Sequence, residues 1–120
     1  ISLKIDDLGR YSVLKSSLKN KKQPVVIEIQ GNSMSPQLQN GNRVLANFIP
    51  EPDWNYISGG VYAVIYRDFF VVKRIKDNEL LIKNTLTLYS DNVKSGNITV
   101  PKNEIKGIWK ITNIIEASVE

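Results

Sequence analysis

Val61-Tyr62-Ala63-Val64-Ile65-Tyr66-Arg67-Asp68-Phe69-Phe70-Val71-Val72-Lys73-Arg74-Ile75 is the stretch whose reading decides the fold. Two runs rich in β-branched and aromatic residues, Val61 to Tyr66 and Phe69 to Ile75, flank the short connection Arg67-Asp68. Such residues suit a pleated, half-buried surface, and two runs joined this closely read as a β-hairpin. Side chains alternate along a strand, so Val71 and Lys73 share one face and Val72 and Arg74 the other. One of the two cations must therefore face inward or sit at an edge, and the pattern leaves open which.

The same reading extends outward. Val25 to Gln30 is a β-branched run that ends in Gly31-Asn32, a strand entering a turn. Ser33 to Gln39 fits one short helical turn, with Pro36 near its beginning and Gly41 closing it. Arg43 to Asn47 reads as a second strand, and Pro50 to Gly60 as a loop carrying Trp54 and the Gly59-Gly60 pair. Glu79 to Lys83 is expected to be a strand, following the Asp77-Asn78 turn signal. Thr85 to Asn97 reads as polar and irregular, Ile98 to Val100 as a brief strand, and Ile105 to Ile115 as a long final strand. Residues 1–22 are polar and basic, with weak helical spacing at Leu8, Val13, Leu14 and Leu18, and are expected to form an arm or short helix. The sum is a mainly β fold of strongly bent antiparallel sheets with short helical turns. It divides into an arm or linker remnant over 1–24, one domain over 25–116 and a tail over 117–120. The last strand is β-branched and weakly charged and would otherwise be an exposed sheet edge. A homodimer is therefore expected, with Ile108 to Ile115 contributing to the contact.

Composition narrows the chemistry. A chain of 120 residues with 42% hydrophobic and 23% charged content builds one core. It begins at Ile1 rather than Met and is expected to be a piece of something longer. The net charge of +4 is densest at Lys15, Lys19, Lys21 and Lys22, which read as a solvated lead-in rather than a nucleic-acid patch. No apolar run approaches membrane-spanning length. Cysteine is absent, which fits a reducing, cytoplasmic compartment, and with histidine absent too the thiol nucleophile, the imidazole base and the usual zinc ligands are removed. No metal or other cofactor is expected.

What remains for activating a serine is a lysine without its proton. Lys73 follows Phe69, Phe70, Val71 and Val72, a run expected to be buried, and burial disfavours the ammonium form. Ser33 follows an abrupt strand-to-turn change, where backbone N–H groups are left to face a developing oxyanion. Together they point to a Ser-Lys dyad. Met34 is the one methionine of the chain and serves equally well as flexible core filler.

Four segments then stand in a telling order: Gly31-Asn32-Ser33-Met34-Ser35-Pro36, Asn40-Gly41-Asn42-Arg43-Val44-Leu45, Gly60-Val61-Tyr62-Ala63-Val64 and Val72-Lys73-Arg74-Ile75. This order resembles the C-terminal domain of LexA-like and phage CI-like repressors, members of the S24-type Ser-Lys self-cleaving peptidase family. Leu88 to Asn92, Ile98 to Pro101 and Ile105 to Lys110 look like the closing part of that domain. The resemblance covers 25–115. It implies Ser33 as nucleophile, Lys73 as general base, the Asn32 and Ser33 amides as oxyanion hole, and Met34 and Pro36 as residues that shape the site. It also implies a homodimer, DNA binding through an N-terminal domain outside this chain, and a RecA-type filament as stimulating partner. The chain departs from the pattern in two places. Asn42 stands where the family often has Asp, and no Ala-Gly or Cys-Gly bond precedes Ser33. Leu8-Gly9 and Gln30-Gly31 are the upstream candidates, unless the cleavage segment precedes Ile1.

Two other readings stand beside this one. A dimerisation domain could keep the fold with Ser33 and Lys73 as relics. A signal peptidase shares a Ser-Met motif and a later lysine. Against it, the Gly-Asp-rich segment expected after that family's lysine is replaced by Lys76-Asp77-Asn78-Glu79, and no membrane anchor is present.

Overall fold

The hairpin forms where the sequence puts it. In a computed structural model, which describes residues 2–4 and 23–116, β4 (Gly60–Tyr66) pairs antiparallel with β5 (Phe69–Ile75). Arg67 takes a left-handed φ of 52° to close the two-residue connection. The other strands are β1 (Ser2–Lys4), β2 (Val25–Glu28), β3 (Arg43–Ile49), β6 (Thr85–Tyr89), β7 (Asn97–Pro101) and β8 (Ile105–Glu116). They form one sheet in the order β1-β2-β3-β8-β4-β5-β6-β7. Seven of them run antiparallel in a curled half-barrel, and β1 adds to β2 in parallel. The expected mainly β fold is what the chain adopts.

Both faces of this sheet are covered, which is why the hairpin reads as a near-continuous apolar run. On one side Phe70 and Val72 pack with Ile27, Met34, Leu38, Val44 and Trp109. On the other, Val71 and Ile75 pack with Trp54, Tyr62, Leu80, Leu86 and Leu88.

Several local expectations are corrected. Glu79 to Lys83 is not a strand. Leu80–Lys83 forms a short helix, α1, which starts with the Leu80 amide donating to Asn78 Oδ1. Asn84 ends it in the left-handed conformation. A short apolar run does not separate strand from helix by periodicity, and here the Asn78 turn before it and the Asn84 C-cap after it decide. Thr85 to Asn97 is more regular than expected. Thr85–Tyr89 is β6, with Leu86 and Leu88 buried in strand alternation, and the Thr87 and Thr99 hydroxyls meet across to β7. The Pro50 to Gly60 loop contains a 3-10 helix, Glu51–Tyr56, with Trp54 buried and its indole N–H donating to the Ile49 carbonyl. Ser33 to Gln39 is a run of turns rather than one helical turn, though the Leu38 amide does donate to the Met34 carbonyl. Where an arm or short helix was expected at the start, Ser2–Lys4 is a strand; the spacing at Leu8 to Leu18 and the Leu8-Gly9 bond lie outside the described residues.

The final strand is not an edge over most of its length. β8 lies between β3 and β4, and Ile108 and Trp109 are buried. Beyond Lys110 the β4 pairing stops while the β3 pairing continues, and Ile114 and Ile115 are exposed there. The open edge that motivated a dimer is thus confined to residues 111–116.

Candidate active site

Lys73 sits on β5 with Tyr62 of β4 opposite it. It shares its face of the strand with Val71 and Ile75, which sink into the apolar cluster around Trp54. Its stem is therefore drawn inward and its amine half-buried, and burial pushes its pKa below the usual lysine value. The amine donates a 2.8 Å hydrogen bond to Ser90 Oγ. Of the two cations left open by the sequence, Lys73 is the one whose pKa burial lowers. Arg74 instead forms a bidentate pair with Asp91, at 2.7 and 2.9 Å, which raises its pKa.

Ser33 belongs to the turns after β2. That loop is closed at its base by the Gly41 amide on the Ile29 carbonyl and the Ile29 amide on the Asn42 carbonyl, both 2.8 Å. Gly31 and Gly41 adopt φ of 86° and 91°, a region that favours glycine. Asn42 Oδ1 accepts from the Gln39 amide at 2.9 Å, so the amide oxygen does here what an Asp carboxylate would do in the same turn. Met34 and Leu38 anchor the loop in the core, while Pro36 is exposed. Ser33 itself is half-buried. Among the described residues, the Asn32 and Ser33 amides carry no hydrogen bond.

Residues 90–92 join these two parts. Ser90 holds the Lys73 amine and Asp91 holds Arg74. The Asp91 amide lies 3.5 Å from Met34 Sδ. The Asn92 amide donates to the Ser33 carbonyl at 2.9 Å, and its side-chain amide to the Asn32 carbonyl at 3.1 Å. The segment is braced locally. The Ser90 amide donates to the Gly96 carbonyl at 3.0 Å, and Asn92 Oδ1 accepts from the Lys94 amide at 3.1 Å, capping the 3-10 turn Val93–Ser95. Sequence reasoning picked out Leu88 to Asn92 as part of the domain but gave Ser90 and Asn92 no role. The signal was available in Asn92, a capping residue ahead of Gly96, yet nothing in one sequence says what such a turn touches.

A family model described as Peptidase S24-like matches residues 2–111. The chain belongs to that family. This is the family that the four ordered segments resemble, and it brings a LexA-like, serine-peptidase type of fold. The S24-like match begins well upstream of residue 25, taking in β1. No curated protein matches the chain. Among the described residues, no helix is long and apolar enough to cross a membrane.

Proposed function

We propose that this S24-like chain is the self-cleaving, dimerising domain of a LexA-like or phage-type transcriptional repressor. Ser33 is the nucleophile and Lys73 the general base. Neutral Lys73 takes the Ser33 hydroxyl proton as Oγ bonds to the scissile carbonyl carbon, and the oxyanion faces the Asn32 and Ser33 amides. The lysine ammonium returns the proton to the leaving amine as the C–N bond breaks, and water then hydrolyses the acyl-enzyme. The observation that carries this reading is that one segment, 90–92, hydrogen-bonds both the half-buried Lys73 amine and the backbone at Ser33. In such a repressor, cleavage parts the DNA-binding half from the dimer-forming half. Operator affinity then falls, because two linked half-sites bind far more tightly than one. A homodimer through the exposed Ile114 and Ile115, and stimulation by a RecA-type filament, belong to the same proposal.

A domain kept for dimerisation alone is the second reading, favoured by one observation: the Lys73 hydrogen bond goes to Ser90, not to Ser33. Intact mass followed over time at neutral and alkaline pH separates the two in the full-length protein. Cleavage that rises with pH and vanishes in Ser33→Ala and Lys73→Ala is the expected result, and Lys73→Arg is equally silent because Arg keeps its proton. Cleavage at an undiminished rate in Lys73→Ala rules out the mechanism. A wild type that stays intact at alkaline pH selects the dimerisation domain.

A further inference from the structure

The Ser–Lys hydrogen bond present in the fold is not the one that the sequence motifs assign. We propose that Ser90 is a positioning residue for the reaction, holding the Lys73 amine by its 2.8 Å hydrogen bond so that the nitrogen lone pair stays available to Ser33. The inference rests on the Ser33–Lys73 reading and gives that site a third member.

The chemical need is simple. A neutral lysine amine has two N–H bonds and one lone pair, and it rotates freely about Cε–Nζ at the end of a four-carbon stem. A base works only while its lone pair faces the proton it abstracts. Committing one N–H to a fixed acceptor removes most of that rotation. Ser90 is such an acceptor, because its own backbone is pinned. Its amide is bonded to Gly96, the next residue is clamped by Arg74, and Asn92 is bonded to the Ser33 loop. The hydroxyl that fixes the base therefore belongs to the segment that also fixes the nucleophile's backbone. Any displacement of 90–92 moves both together.

Other groups around Lys73 offer no equivalent hold. Tyr62 opposite on β4 gives its hydroxyl proton to the Ser58 carbonyl at 2.6 Å. Lys110 of β8 lies beyond Tyr62, over its ring. Asp91 is engaged by Arg74.

The test compares wild type, Ser90→Ala and Ser90→Thr for pH-dependent self-cleavage of the full-length protein. Lys73 titration is followed beside it by NMR of the ε-13C-lysine-labelled protein. An oxygen acceptor stabilises the ammonium more than the amine, so its removal lowers the Lys73 pKa further. Ser90→Ala is expected to lower the alkaline plateau about tenfold while moving the pH midpoint to the acid side, a combination that general loosening of the fold does not produce. Ser90→Thr keeps a hydroxyl and is expected to restore both. An unchanged plateau in Ser90→Ala overturns the proposal, as does equal loss in both variants with Lys73 titrating as in wild type. Cleavage abolished by Ser90→Ala but retained in Ser33→Ala overturns it too, since Ser90 would then be the nucleophile. If the wild type does not cleave, the dyad reading falls by itself. An unmoved Lys73 titration in Ser90→Ala then overturns the hold on the amine, and an acid shift supports it.

Discussion

Lys73 and Ser33 reach the proposed site from regions of opposite construction. Lys73 rides on β5, paired along its whole length with β4, which is itself hydrogen-bonded on both sides and covered on both faces. Ser33 sits in a run of turns, held by two buried side chains, Met34 and Leu38, by single bonds accepted by the Asn40 and Asn42 side chains, and by two bonds from Asn92. The first region is fixed by packing and the second by polar contacts between loops. Packed cores admit little adjustment, whereas loops open at lower free energy. The proposed base is thus set by the fold itself, and the proposed nucleophile by how well two loops meet.

The largest effect is expected in the sheet. At Gly107 of β8, an added Cβ would lie 2.6 Å from Trp109 Cζ3. The Trp109 ring has nowhere to retreat, being buried with Phe48 and Phe70 at 5.4 and 6.4 Å. Gly107→Ala is expected to destabilise the fold by about 3 kcal/mol, seen as a clear fall in the urea midpoint at unchanged slope. A midpoint within error of wild type would mean that the sheet centre yields as easily as the loops, and the contrast would collapse.

That contrast also explains what the sequence made legible. Strand pairs with long apolar runs, β4–β5 above all, could be read because burial on both faces leaves a compositional mark. Lys73 was legible as a desolvated lysine for the same reason, from Phe70, Val71 and Val72 before it. What stayed hidden was set by single polar contacts: α1, where Asn78 and Asn84 turn Leu80 to Lys83 from strand to helix, and Ser90, whose partner is seventeen residues away. β6 was missed because its burial is carried by Leu86 and Leu88 amid threonines, and Leu alternating with Thr is a weak signal beside a β-branched run. The position of β8 was missed because a terminal strand gives no local sign of whether it ends a sheet or enters its centre.

An intermediate effect is expected where the loops meet. Asp91→Ala removes the bidentate partner of Arg74, whose side chain is 31% exposed, so the pair counts for more than a surface bridge and less than a buried one. A loss of about 1–2 kcal/mol is expected. The sharper expectation is a ratio. If 90–92 aligns base and nucleophile, Asp91→Ala should slow self-cleavage well beyond what its stability loss unfolds, while Gly107→Ala should slow it only through unfolding. Rates measured beside unfolding curves for the two variants decide this, and proportional losses in both would end the distinction between the regions.

The smallest effect concerns the position of Lys73 between the two regions, and its sign is fixed by linkage. Burial lowers the folded-state pKa of Lys73 below its unfolded value, so between those two values the folded chain binds fewer protons. Stability contributed by this group therefore rises with pH across that window and is missing below it. Lys73→Met removes the titration and keeps an apolar stem of similar length. At neutral pH the variant is expected to match or exceed wild type, by less than about 1 kcal/mol given the amine's partial exposure. The advantage should shrink as pH rises into the window. Tyr66, whose pKa burial raises, pulls stability the other way at high pH, but it is present in both proteins and cancels in the difference. Urea unfolding of both proteins at pH 7 and at successive alkaline steps measures that difference directly. A difference that does not change with pH would mean that the fold does not desolvate Lys73. The proposed base would then owe its readiness to the loops alone, reversing the division of labour between sheet and turns.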